Sequence, residues 1–474
     1  MSIRAIVIFV ILLVLSVLTA FGSDGSSHEL PPIWLVIPFI GLLAMIATGP
    51  LFYSHFWHHN YKYIAPGLGI IVAGYYVFAL HNTHAPVHAL AEYISFVSLL
   101  TPLFIASGGI MIRADVEGKP MTNLILLIIG AVLANFIGTT GASMLLIRPF
   151  IRLNRDRIKP YLVVFFIFFV SNIGGSLTPI GDPPLFLGFL KGVPFEWTLI
   201  HVMPEWLFAI ACLSLAFFVF DKRNTTDIDQ VKTYYSGRYL IAGKSNFIFL
   251  IITVLAVFID PNVFSWVPSI EIQGARFSFV REIIQLSAGF FSFVLAEKRV
   301  LKRNEFSFEP IREVAFLFIG IFLTMIPALQ LIGAFATTPQ GQGAINEHSL
   351  FWFTGLLSSF LDNAPTYVNF LTASLAKFGL SETDPAAVKA FANGVIEGIE
   401  NPEITIRYLK AISVASVFFG AMTYIGNGPN FMVKSIAEYN NIRMPSFFGY
   451  LIRFAIPILL PILFLEWLIF FVIF

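Results

Sequence analysis

Leu177-Thr178-Pro179-Ile180-Gly181-Asp182-Pro183-Pro184 lies inside the apolar stretch 160–190 and cannot continue it as a helix. Proline removes an N–H donor and clashes with the preceding turn, and glycine is costly in a helix interior. The helix is expected to break near Thr178 to Pro184. Each backbone group exposed by such a break costs several kcal/mol in hydrocarbon, so the break is tolerable only where it is buried or lines a polar cavity. A second copy, Met422-Thr423-Tyr424-Ile425-Gly426-Asn427-Gly428-Pro429, occupies the apolar stretch 408–437 and is identical at four of the eight positions. A single Gly/Pro break reads as a packing kink. Two related breaks, each following another interrupted apolar stretch, read as a repeat, and paired broken helices in inverted repeats point to a midplane binding site.

The interrupted stretches are 121–151, split by Gly138-Thr139-Thr140-Gly141, and 348–375, split by Asp362-Asn363-Ala364-Pro365. Their arms are shorter than the roughly 20 residues of a spanning helix, so both are expected to enter the bilayer, turn and return. Other apolar stretches recur near 31–53, 67–82, 95–112, 197–221, 244–260, 281–296, 313–333 and 447–474. Of the 474 residues 57% are hydrophobic and 12% charged, against roughly 25% charged in soluble proteins, so the bilayer is the solvent. Loop 148–160, with Arg148, Arg152, Arg155, Arg157 and Lys159, is basic, as are loops 222–244 and 297–312. The positive-inside rule places all three in the cytoplasm. Segment 376–407, with Glu382, Asp384, Glu397, Glu400 and Glu403, is expected outside. The three basic loops share a side only if both interrupted stretches are hairpins, the first opening inward and the second outward.

The expected architecture is an all-α polytopic membrane protein of two inverted repeats, each with a re-entrant helical hairpin and a discontinuous transmembrane helix. Residues 1–94 form N-terminal spans, with 1–21 a span or a signal peptide. The first repeat is 95–221, with hairpin 121–151 and broken helix 160–190. A connecting loop and spans occupy 222–296, and the second repeat is 297–474, with hairpin 348–375 and broken helix 408–437. Multiple spans and cytoplasmic basic loops fit a bacterial inner (cytoplasmic) membrane.

A net charge of +1 gives no reason to expect nucleic acid, and the single cysteine, Cys212, excludes an intrachain disulfide. No Gly-x4-Gly-Lys-Ser/Thr phosphate-binding loop is present, since Arg238 stands where Gly243-Lys244-Ser245 would need the first glycine, so the energy source is expected to be an ion gradient. An enzyme is not expected: an intramembrane catalytic pair of Asp182 and Asp362 would explain neither the repeat nor the hairpins. His55, His58 and His59 cluster in an expected inside loop, while His81, His84 and His88 lie near an outside one. Without matching cysteine or carboxylate spacing these read as interfacial residues. His201 and Glu205, at i,i+4 spacing, read as an interfacial pair or a proton path.

Ser171-Asn172-Ile173-Gly174-Gly175-Ser176-Leu177-Thr178-Pro179-Ile180-Gly181-Asp182-Pro183-Pro184 resembles the signature of the ion-transporter superfamily, which includes NhaD-type sodium/proton antiporters, arsenite permeases, citrate carriers and divalent-anion/sodium symporters. Asp362-Asn363-Ala364-Pro365 resembles the NhaD-type motif at the second hairpin, and similar sequences are also grouped as citrate carriers. The carboxylate symporters place Ser-Asn-Thr at both tips, which is absent here. The resemblance implies that each hairpin tip meets the break of its own half. One cluster would then hold Thr139, Thr140, Asn172, Ser176, Thr178 and Asp182, and another Asp362, Asn363, Thr366, Thr423 and Asn427. It also implies a homodimer with the spans before residue 95 as scaffold.

Asp182 and Asp362 are acids expected at mid-depth, where a charge costs at least about 2.5–3.5 kcal/mol. One reading is structural, Asp182 capping the half-helix after the break and Asp362 shaping the hairpin turn. The other is a hard-oxygen site in which the two carboxylates bind sodium. Burial favours the neutral carboxyl, so such a site binds sodium when deprotonated and loses it on protonation. A secondary active transporter exchanging sodium for protons is therefore expected, with these ions transported or coupling and no other cofactor. The alternative is a sodium- or proton-coupled citrate/dicarboxylate carrier, its small carboxylate held by converging half-helix N-termini.

Overall fold

The computed structural model describes residues 30–114, 116, 118–224, 239–261, 264, 266–272, 275–396 and 401–473. The expected span or signal at 1–21, and Glu397 and Glu400, lie outside these residues. The described chain is helical apart from two antiparallel ribbons, β1 (Met111–Ala114) with β2 (Tyr239–Ala242) and β3 (Ile270–Ile272) with β4 (Ala275–Phe277). Among the described residues, eight helical runs are long and apolar enough to cross a membrane. The chain is thus an all-α multi-pass membrane protein. Its outer surface carries exposed apolar side chains such as Ile70, Phe78, Leu215, Phe290 and Ile452, as lipid contact requires.

Helices α1 (Ile37–Phe52), α2 (Ser54–Phe78) and α3 (His84–Gly108) come first. They are followed by α4 (Pro120–Leu153), α5 (Pro160–Phe169), α6 (Pro183–Lys191) and α7 (Trp197–Lys222). Next come α8 (Asn246–Ala256), α9 (Val280–Leu295), α10 (Lys298–Arg303), α11 (Glu309–Ala336) and α12 (Pro339–Ala344). The last are α13 (Glu347–Phe360), α14 (Asn363–Lys377), α15 (Pro385–Ala392), α16 (Glu403–Phe418), α17 (Gly428–Tyr439) and α18 (Phe447–Ile473). A helix apolar on every face belongs in the interior, and α5 obeys this: every residue from Leu162 to Phe169 is buried at the centre of the molecule. α11 packs on α2, α3 and α14, and α9 packs on α3 and α8.

α4 is not a straight rod. Gly138 has φ 77° and ψ 154°, a conformation natural to glycine alone. The two ends of α4 then meet, since the Gly118 N–H donates to the Leu153 carbonyl at 2.9 Å and Asn123 and Asn154 exchange side-chain bonds of 2.8 Å. A straight helix of this length would hold its ends about 50 Å apart at 1.5 Å per residue, so the chain reverses at Gly138. It reverses again between α13 and α14, where Leu361 and Asp362 are extended. There Lys377 at the far end of α14 donates to the Gln342 carbonyl, just ahead of α13, at 2.9 Å.

The two reversals open at opposite ends. At the first end, Arg157 donates to Asp221 at 2.8 Å and to the Gly118 carbonyl at 2.8 Å, and Arg148 lies 3.6 Å from Glu305. Segments from all three basic loops meet there. At the other end, Trp197 Nε1 donates to the Ala392 carbonyl at 2.6 Å, Tyr408 to the Ile345 carbonyl at 3.1 Å, and Arg407 pairs with Glu347 at 3.3 Å. α5 therefore starts from the basic end and α16 from the opposite one.

Three expected boundaries are corrected. The helix expected at 67–82 starts at Ser54, so His55, His58 and His59 are helical rather than in a loop. Its extra turns are held by Trp57 and Tyr61, both buried, with Trp57 close against Gly49 of α1. The stretch 244–260 yields only α8, 11 residues long and shorter than the roughly 20 that span hydrocarbon upright, whereas α9 matches the stretch 281–296. The first break begins at the end of α5, earlier than Thr178, because a 3-10 turn over Ile173–Leu177 precedes the Gly/Pro cluster.

Candidate functional site

The two breaks are built alike. α5 gives way to a 3-10 turn at Ile173–Leu177, then to extended Thr178 (φ −140°, ψ 154°) and extended Asp182 (φ −141°, ψ 143°). α16 gives way to a turn at Phe419–Met422, then to extended Thr423 (φ −138°, ψ 168°) and Asn427 (φ −148°, ψ 139°). In each, backbone packs on backbone: a Cβ on Gly181 would lie 2.0 Å from the Gly175 carbonyl oxygen, and one on Gly426 would lie 2.6 Å from that of Gly420. Each threonine ties its break to the adjacent hairpin arm, Thr178 donating to the Asn135 carbonyl and Thr423 to the Ser359 carbonyl. The first tip is docked by the Thr139 N–H on the Gly181 carbonyl at 2.8 Å.

Asp182 is where the pieces converge. It is buried, and its carboxylate accepts three hydrogen bonds: Oδ1 from Thr139 Oγ1 at 2.8 Å and Asn427 Nδ2 at 3.0 Å, Oδ2 from Asn363 Nδ2 at 2.8 Å. One donor comes from the first tip, one from the second tip and one from the second break. The two clusters expected from the resemblance are thus a single one, joined at this carboxylate. Although Asp182 stands at the N-terminus of α6, its side chain makes no capping bond. Asp362 does cap, accepting from the Ala364 N–H at 3.1 Å.

The remaining candidates divide. Asn172 donates to Asn430 Oδ1 at 2.7 Å and accepts from Asn427 Nδ2 at 3.2 Å, while Asn430 donates to the carbonyls of Gly420 and Thr423 at 2.8 and 2.9 Å. This buried amide chain locks one break to the other. Ser176 and Thr366 turn back on their own backbone, donating to the carbonyls of Ile173 and Asp362 at 3.1 Å. Thr178 and Thr423 are spent on the hairpin arms, and Thr140 is half-buried beside the first tip. Asn430, Asn135 and Ser358, whose hydroxyl bonds Asn363 Oδ1, were not among the sequence candidates. Asn430 had one signal, an amide three residues after Asn427 inside an apolar stretch.

No lysine or arginine bonds the Asp182 carboxylate among the described residues. Nearby cations are paired elsewhere: the buried Lys191 with Glu92 at 3.0 Å and Arg281 with Asp260 at 2.7 Å, and the partly exposed Lys410 with Glu205 at 3.0 Å. Glu205 therefore pairs with Lys410 and not with His201, which stacks on Trp197 with ring centroids 4.6 Å apart. The half-helix N-termini are also poor in N–H donors, since α6 opens on Pro183 and Pro184, α17 carries Pro429 and α14 carries Pro365, and proline has no N–H. A buried carboxylate ringed by neutral oxygen- and amide-bearing side chains is suited to a small hard cation or a proton.

A family model described as "Putative citrate transport" matches residues 27–471. The chain is 24% identical over 341 residues to a 46 kDa membrane protein of Mycobacterium leprae (strain TN), covering 68% of this chain and 71% of the relative. It is 25% identical over 340 residues to an uncharacterized transporter of Mycobacterium tuberculosis (strain CDC 1551 / Oshkosh), covering 68% and 71%. A shorter match, 33% identical over 91 residues, links it to an uncharacterized transporter of Mycobacterium bovis, over 19% of this chain and 21% of the relative.

Proposed function

The chain belongs to this citrate-transport family of membrane transporters, and on that premise we propose that it is a secondary active transporter of the sodium/proton antiporter type. Asp182 carries the reading: a buried carboxylate that takes neutral donors from both hairpin tips and the opposite break, and no cationic partner among the described residues. A fixed negative charge there attracts a cation and repels an anion.

On this reading α4 and the α13–α14 pair are re-entrant hairpins of two inverted repeats, and their tips enclose the site at the membrane midplane. The matched dihedrals of the breaks and the opposite openings of the hairpins support the repeat. Sodium binds Asp182 and Thr139 Oγ1, and the amides of Asn363 and Asn427, whose NH2 groups face the carboxylate, rotate to present their oxygens to it. A proton arriving on the same carboxylate removes the charge and releases the ion, so the two compete one for one. Asp362, at the second tip, adds negative charge beside the site, and Asn172 and Asn430 hold the two breaks in register. The ions, not a cofactor, supply the driving force.

The family description favours a second reading, a citrate or dicarboxylate carrier coupled to sodium or protons. The prolines at the half-helix N-termini and the absence of a basic partner at Asp182 among the described residues speak against it. Dye-reported proton movement in proteoliposomes separates the two, with sodium or citrate added to wild type, Asp182→Asn and Asp362→Asn. Sodium-driven proton movement lost in both variants is expected. Silence to sodium, with uptake only when citrate or another dicarboxylate is present, overturns the antiporter and leaves the carrier.

A further inference from the structure

Glu205, Lys410 and Glu466 come from three helices and meet away from the breaks. Glu205 on α7 and Glu466 on α18 are fully buried, both 0% exposed, and Lys410 on α16 reaches Glu205 Oε1 at 3.0 Å. Glu466 is within electrostatic reach of Glu205 and Lys410. Neither of its carboxylate oxygens has a hydrogen-bond partner among the described residues. α7 and α18 pack together here, with Phe208 against Phe470 at 5.9 Å. Arg407 fastens α16 to α18 by donating to the Phe471 carbonyl at 2.9 Å. The three residues each lie about two turns, roughly 11 Å, inside their helix ends.

The charges do not balance. Two acids share one lysine, and an ionised carboxylate without a partner in an apolar interior is so costly that it neutralises instead. The neighbouring groups do not supply the missing positive charge. Arg407 is engaged with Glu347 at 3.3 Å, His201 lies within electrostatic reach of Glu205 but stacks on Trp197, and Cys212, within electrostatic reach of Glu466 from α7, is itself an acid. His348 on α13 meets Trp467 rather than Glu466, its ring 5.7 Å from the indole.

We propose that Glu205, Lys410 and Glu466 form a second ion-binding site, separate from Asp182, that holds one proton on Glu466. Binding forms one O–H bond on a Glu466 oxygen and leaves a neutral acid beside the Glu205–Lys410 pair. Release returns a carboxylate for which Lys410 is the shared counter-ion. Lys410 lies on the helix that runs into the second break, so the protonation state of the triad is tied to the element that carries Asn427. The proposal does not depend on which substrate occupies the Asp182 site.

The test is pH-difference infrared spectroscopy on the purified full-length protein in lipid, paired with thermal unfolding. A carbonyl band of a protonated acid, shifted in D2O, is expected in Asp182→Asn with Asp362→Asn and is expected to vanish when Glu466→Gln is added. Glu466→Gln should unfold with wild type, because the amide mimics the neutral acid. Lys410→Met should unfold earlier, and adding Glu205→Gln should restore it. In the Asp182→Asn, Asp362→Asn background, a band that survives Glu466→Gln, a band removed by sodium rather than by alkali, or a Glu466→Gln protein that fails to fold would each overturn the proposal.

Discussion

Asp182→Asn changes one charge at nearly constant shape, so its effects on folding and on transport are expected to separate. The carboxylate accepts from Thr139 and Asn427 on Oδ1 and from Asn363 on Oδ2. An amide keeps the first two bonds, each weakened by about 1 kcal/mol as a charged acceptor becomes neutral. Its NH2 group then faces Asn363, which must turn its own amide and give up Ser358, for a further loss of about 1–2 kcal/mol. Against this stands relief of a buried charge, several kcal/mol in real proteins. The unfolding transition is therefore expected to stay where it is or to rise. Sodium binding should collapse, because a unit charge at 4 Å is worth about 4 kcal/mol at an effective dielectric of 20, which corresponds to roughly three decades of affinity. The assay is sodium-driven proton movement in proteoliposomes alongside a melt of the same preparation. A stable Asp182→Asn protein that exchanges within tenfold of wild type would refute the reasoning.

Competition at one carboxylate has a pH signature: protons occupy the site as pH falls, so the apparent KM for sodium should rise on the acid side while the maximal rate at saturating sodium recovers, and an acid limb that sodium cannot relieve counts against a shared site. Gly181→Ala would place a Cβ 2.0 Å from the Gly175 carbonyl oxygen, with backbone on both sides and nothing flexible to yield, so loss of folded protein on size-exclusion chromatography is expected. Gly138→Ala puts a Cβ on a residue at φ 77° and ψ 154° and should cost about 1–3 kcal/mol, read as an earlier melt with exchange retained. Arg157→Ala takes from the buried Asp221 carboxylate its two guanidinium bonds of 2.8 and 3.0 Å and leaves it only the neutral donors Tyr161 and Asn123; about 3–5 kcal/mol of stability should go, and Arg157→Met with Asp221→Asn, which keeps a neutral acceptor for those donors, should recover part of it.

Local chemistry alone located much of the architecture. Gly138 and the Asp362-Asn363-Ala364-Pro365 run mark the two reversals, and the Gly/Pro clusters near Thr178 and Thr423 mark the breaks, because what stops a helix is a property of the residue at the stop. Charge in the loops, read with the lengths of the apolar stretches, led to the expectation of two hairpins. Asp182 and Asp362 stood out because an acid inside an apolar stretch needs a reason. What each of them does could not be read this way. Capping is done by Asp362, whereas Asp182 turns away from its own helix toward Asn363, 181 residues further along. That bond, the Asn172–Asn430 lock and the Glu205–Lys410–Glu466 triad join residues from separate helices, and no local pattern encodes which face of one helix meets which face of another. The packing of the two halves decides it, so the sequence determined where the chain breaks and turns, and the tertiary structure alone determined that both breaks and both tips close on one carboxylate.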